Sequence, residues 1–135
     1  MHVGYGAAFQ NPNNAHSDAE VYRNELRFAE MAEPLGFDSV WSVEHHFDDY
    51  TMCPDPVQFL TYMAGRTKHV KLGSMVVVLP WHDPIRVAEQ ASLLDHLGQP
   101  DLVAPDLAVG ELIVRILKNE PVACMHDSLL RRVNR

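Results

Sequence analysis

Two short stretches concentrate the side chains that could do chemistry: Glu44-His45-His46 and Trp81-His82-Asp83. Imidazoles and carboxylates change protonation near neutral pH, so such groups can act as acid, base or anion ligand. Glu44, His45, His46 and His82 are also conceivable metal ligands. Against that, the chain has no H-E-x-x-H, and no H-x-H that would aim two rings the same way along a strand. Adjacent residues of an extended segment point to opposite faces, so only one of His45 and His46 readily faces a common site. The residue types alone therefore leave four readings open: acid–base chemistry, a metal site with few converging ligands, solvated spectator histidines, and a buried Glu44 that bonds neighbouring backbone amides.

Three strand-then-helix units position these stretches. The first strand lies within His2 to Phe9. Ser17 and Glu20 have capping-box spacing, in which each side chain bonds the other's backbone N–H. The helix that follows carries Tyr22, Leu26, Ala29, Ala32 and Leu35 on one face, has Pro34 in its last turn, and stops at Gly36. The second strand, Ser39 to Val43, runs directly into Glu44. Asp55-Pro56 is a cap followed by proline at the first helical position, and Phe59, Leu60, Met63 and Ala64 form that helix's apolar stripe. The nearly unbroken apolar run Leu72 to Leu79 predicts a third strand buried on both faces, as in a parallel sheet. Asp83-Pro84 repeats the cap, and Val87, Ala88, Ala91, Leu94 and Leu97 supply a third stripe before Gly98.

Alternating strands and helices at this spacing imply a parallel α/β architecture. Periodicity does not separate an open doubly wound sheet from a barrel, but no G-x-G-x-x-G follows a strand, so the dinucleotide form has no support. In a barrel, loops after the strands build the active site, which is where both chemical stretches fall.

Bulk properties narrow the function classes. With 135 residues, 47% hydrophobic and 21% charged, the chain is globular and of one-domain size. Its net charge of -7 repels phosphate backbones, which argues against nucleic acid as a partner. Cys53 and Cys124 lie far apart without Cys-x-x-Cys spacing, which fits a reducing compartment. Met1 to Tyr5 shows no basic segment leading into an apolar stretch, and no run approaches the roughly 20 apolar residues of a membrane span. The expectation is a cytoplasmic protein with no membrane partner.

Leu35-Gly36-Phe37-Asp38-Ser39-Val40-Trp41 followed by Glu44-His45-His46-Phe47 resembles the second strand of the bacterial luciferase-like flavin monooxygenases. Arg66-Thr67, Leu72 to Pro80, Pro84, Arg86-Val87-Ala88-Glu89 and Leu93-Leu94-Asp95 extend the resemblance through the third helix. Each piece is short; their order and spacing together are specific.

The resemblance implies a (β/α)8 barrel, of which residues 1–97 are the first three βα units. It implies an enzyme that uses reduced FMN and O2 on an organic substrate, with a deazaflavin coenzyme as the alternative and a flavin reductase as a possible partner. By the same resemblance, His45 stands beside the flavin and handles protons, and Glu44 lies in the flavin pocket. Ser74, Met75 and Val76 pack against the ring, with a non-proline cis peptide in that segment. No metal is implied.

Residues 98–135 depart from the family. Gly98-Gln99-Pro100-Asp101 stands where members continue with Ser-Gly-Gly-Arg and a fourth strand, and the later strands supply most flavin phosphate contacts. The tail reads as mostly helical, with Leu107 to Lys118 its main element. A whole barrel needs about 250 residues, so the expectation is a truncated barrel with an unpaired strand edge. That edge points to a homo-oligomer, and to a second functional reading: a non-catalytic remnant acting through self-association.

Overall fold

The computed structural model describes residues 1–98, so readings of the tail lie outside the described residues. Its elements run β1 (Gly4–Ala7), α1 (Asp18–Ala32), β2 (Ser39–Ser42), α2 (Pro56–Ala64), β3 (Lys71–Ser74) and α3 (Pro84–Leu97). The strands form one parallel sheet in the order β1-β2-β3, with Tyr5, Val40 and Leu72 in one row and Ala7, Ser42 and Ser74 in another. These are three consecutive parallel βα units.

Side chains alternate across a strand, so the two faces of the sheet differ. Val40, Leu72 and Ala7 are fully buried and join the helices in one core with Ala29, Leu60, Met63 and Leu94. The opposite face carries Gly4, Gly6, Ser39, Trp41 and Gly73. There the Trp41 indole spreads over both neighbouring strands. A Cβ at Gly4 would lie 2.6 Å from its Nε1, and a Cβ at Gly73 would also fall inside van der Waals contact of its ring. Trp41 Nε1 donates to Ser39 Oγ at 2.7 Å, which fixes the ring's direction.

The caps form as the residue types require. Ser17 and Glu20 make the capping box. Asp55 accepts from the N–H of Gln58, and Asp83 from those of Ile85 and Arg86, satisfying donors that the first helical turn leaves unpaired. Gly36 takes φ +83°, and Phe37 N–H then closes on Ala32 O at 3.0 Å, ending α1 as expected.

Three expectations need correcting. The third strand stops at Ser74 rather than continuing to Leu79, and Leu79–Trp81 form a single 3-10 turn. Backbone donors beyond Ser74 leave the ladder's regular course: Met75 N–H still reaches Ser42 O at 2.7 Å, but Val78 N–H turns to a side chain. On α1 the buried residues are Val21, Ala29 and Ala32; Tyr22 and Leu35 lie exposed, Leu35 because the chain has already left the helix. On α3 they are Val87, Ala91 and Leu94, and the terminal Leu97 is exposed.

Candidate active site at the carboxyl ends of the strands

Glu44 lies two residues past the end of β2, with its side chain fully shielded from solvent. A buried carboxylate is costly unless its lone pairs are matched by donors. Here Oε1 meets His46 Nε2 at 2.8 Å and His82 Nε2 at 2.7 Å, while Oε2 accepts the backbone N–H of Val78 at 2.7 Å. An ionised carboxylate only accepts, so both Nε2 atoms carry hydrogen and each ring directs Nδ1 elsewhere. Burial works to push the Glu44 carboxyl up, but the bonds from His46, Val78 and His82 outweigh it and hold it below the ordinary carboxylate value.

His46 and His82 reach this oxygen from different elements. His46 is two residues beyond Glu44, hence on its side of the extended chain. His82 comes from the turn before α3, where its N–H bonds Leu79 O at 3.0 Å. The His46 ring also stacks on Trp81, with centroids 4.6 Å apart and planes 5° from parallel. Asp83, the third member of the Trp81-His82-Asp83 stretch, is occupied in capping α3 and takes no part in the cluster.

His45 does not join Glu44. Its backbone N–H bonds Cys53 O, and its exposed ring meets Tyr50 edge-on at 5.6 Å. It lines an open cleft of about 630 Å³ together with Asp18, Tyr22, His46, Phe47 and Met52. Two histidines adjacent in sequence thus serve different surroundings, His46 being the one that touches both.

Ser74 ends β3, and Met75 and Val76 follow it on the rim beside the Glu44 cluster, 47% and 62% exposed. The Met75–Val76 peptide bond is cis, within the segment where the resemblance places one. Met75 extends over the sheet's helix-free face: a Cβ on Gly6 would stand 3.4 Å from its Cε. The acidic stretch and the valine-rich stretch are therefore neighbours at one end of the sheet, joined through Glu44 and Val78.

Sequence reasoning singled out Glu44, His45, Ser74, Met75 and Val76. It did not identify the Trp81 stack, nor the sharing of one oxygen by His46 and His82. The i, i+2 spacing of Glu44 and His46 was a usable signal; for Glu44 and His82, 38 positions apart, the signal was only that both follow strands of one parallel sheet. Among the described residues, no group of three His, Cys, Asp or Glu side chains is arranged to hold a metal ion, and no helix is long and apolar enough to cross a membrane.

An isoalloxazine ring requires a flat, largely apolar wall with few polar partners. Exposed Met75 and Val76 supply apolar surface and the stacked His46 and Trp81 supply flat rings, so the residues present fit the ring of a flavin.

Known proteins agree with this architecture. The profile of the family described as luciferase-like monooxygenase matches residues 1–100. The oxygenase component of the flavin-dependent trigonelline monooxygenase of Acinetobacter baylyi is 30% identical over 86 residues, covering 64% of this chain and 24% of that protein. Monooxygenase RslO1 from Streptomyces bottropensis superposes with a TM-score of 0.69 at 33% identity, over 76% of this chain and 31% of that one. The oxygenating constituent of 3,6-diketocamphane monooxygenase from Pseudomonas putida, solved with FMN, superposes with a TM-score of 0.65 over 72% of this chain and 26% of that one; at 23% identity this shows the fold alone. The matched stretch spans about a quarter of the length of the curated relatives. With its profile covering most of the chain, this protein belongs to the luciferase-like monooxygenase family.

Proposed function

We propose that the chain serves flavin-dependent monooxygenation: its rim receives the ring of reduced FMN, and O2 is used on an organic substrate. The observation that carries this reading is the junction of Glu44 with Val78, which sets an apolar ledge, Met75–Val76, beside a buried carboxylate at the carboxyl ends of parallel strands. Ligands of barrel enzymes bind at that end. Support comes also from the trigonelline relative, which is flavin-dependent, and from the diketocamphane fold neighbour, which holds FMN.

When bound, reduced flavin supplies the electrons that activate O2. The chain's own residues have simpler tasks. Met75 and Val76 offer the ring an apolar wall and keep water from it. Glu44 holds the ledge through Val78 N–H and keeps His46 in place. His45, in the open cleft, is the residue we assign to moving a proton to or from the reacting groups. A separate reductase would deliver the reduced flavin. We also propose that the chain self-associates.

Titration of the purified protein with FMN, followed by flavin fluorescence, tests the reading. Saturable binding at micromolar flavin, and NADH-driven turnover once a flavin reductase is added, are the expected results. Absence of binding contradicts it.

A further inference from the structure

His82 has no part in the flavin chemistry proposed above, yet its Nε2 meets the buried Glu44 carboxylate at 2.7 Å. We propose that His82 is a positioning residue: by holding Glu44, it fixes the backbone of the ledge on which the flavin ring rests. The flavin part of this inference rests on the proposed function; the positioning part stands on the geometry alone.

Glu44 has two oxygens with different tasks. Oε1 takes both imidazoles, and Oε2 is left to Val78 N–H. His46 and His82 belong to different segments, one after β2 and one before α3, so together they hold Oε1 from two separate anchors. His82 reaches the same oxygen from the chain just beyond the Leu79–Trp81 turn. Residues 75–78 are therefore bounded at one end by Met75 N–H on Ser42 O and at the other by Val78 N–H on Glu44. The His82 bond closes the loop from outside, linking the start of α3 to the end of β2. Trp81, immediately before it, is placed by the same turn against His46, so one short segment carries both the bond and the stack.

Removing the imidazole leaves Glu44 with one side-chain donor and opens a space beside it, so its bond to Val78 loosens. A glutamine at position 82 can still donate to Oε1. The test compares wild type, His82→Ala and His82→Gln by amide hydrogen exchange and by FMN titration. In His82→Ala, exchange at the Val78 amide accelerates at least about tenfold relative to amides of β2, and FMN binding weakens at least about tenfold; His82→Gln restores most of both. Unchanged Val78 exchange in His82→Ala overturns the positioning role. Acceleration of Val78 and the β2 amides to the same extent also overturns it, since that marks general loosening. Val78 acceleration with undiminished FMN binding overturns the link to the ring. If wild type binds no FMN but Val78 responds as stated, the flavin reading fails and the positioning role holds.

Discussion

Val78 donates its backbone N–H to Glu44 Oε2 at 2.7 Å, which ties the segment after β3 to the segment after β2. The residues are 34 apart in sequence, and their contact turns two separate strand ends into one rim. Because Glu44 is buried and each of its oxygens is matched, a change that keeps its shape but removes one acceptor is informative. Glu44→Gln places an amide NH2 where an oxygen now accepts, so the imidazoles must change tautomer to receive it and the charge-assisted bonds to the carboxylate are lost. Its expected cost is about 1–3 kcal/mol of unfolding free energy in urea titration.

The same carboxylate makes stability depend on pH. Glu44 and Glu33 are both held below the ordinary carboxylate value of 4.5. For Glu33, burial opposes the ionised form, and bonds from the N–H groups of His69, Lys68 and Val70 overcome it. A lowered folded pKa means the unfolded state binds more protons through this range. The stabilisation is therefore present above the ordinary carboxylate value and is lost as pH falls through the lowered folded values. Urea midpoints measured from about pH 7 down to about pH 3 should fall, and Glu33→Gln combined with Glu44→Gln should flatten that fall.

Trp41 predicts a contrast between glycines of one sheet face. A Cβ at Gly73 would enter the Trp41 ring, whereas one at Gly6 would meet Met75 Cε at an ordinary 3.4 Å. Gly73→Ala should cost about 1–3 kcal/mol through overpacking. Gly6→Ala should shift stability by no more than about 1 kcal/mol. Adding Trp41→Ala should remove most of the Gly73→Ala penalty, a non-additivity read from a double-mutant cycle.

Helix starts were legible in the sequence because a cap is local chemistry. Ser17 with Glu20, Asp55-Pro56 and Asp83-Pro84 each needed only a few neighbouring residues, and all three formed. Helix α2 was equally plain, since Phe59, Leu60, Met63 and Ala64 all face the core. The length of β3 was not legible: Val76 to Leu79 are as apolar as a buried strand, and an apolar run has the same composition whether it crosses a core or forms a ledge. Trp41 filling the space over Gly4 and Gly73 depends on strand register, which no local pattern encodes. Alternation along an extended chain did favour His46 over His45 as the neighbour of Glu44, and His46 is the one found there, at 2.8 Å. What spacing left out was the arrival of His82 at the same oxygen, which depends on how the segment after β3 folds back.

The most direct test of the central claim is to follow backbone amide NMR shifts while FMN is added to the protein. Saturable shifts are expected at Glu44, His45, Met75, Val76 and Val78, with little change on the α1 and α2 surfaces. Shifts confined to the helix surfaces, or no shifts at millimolar FMN, would contradict that claim.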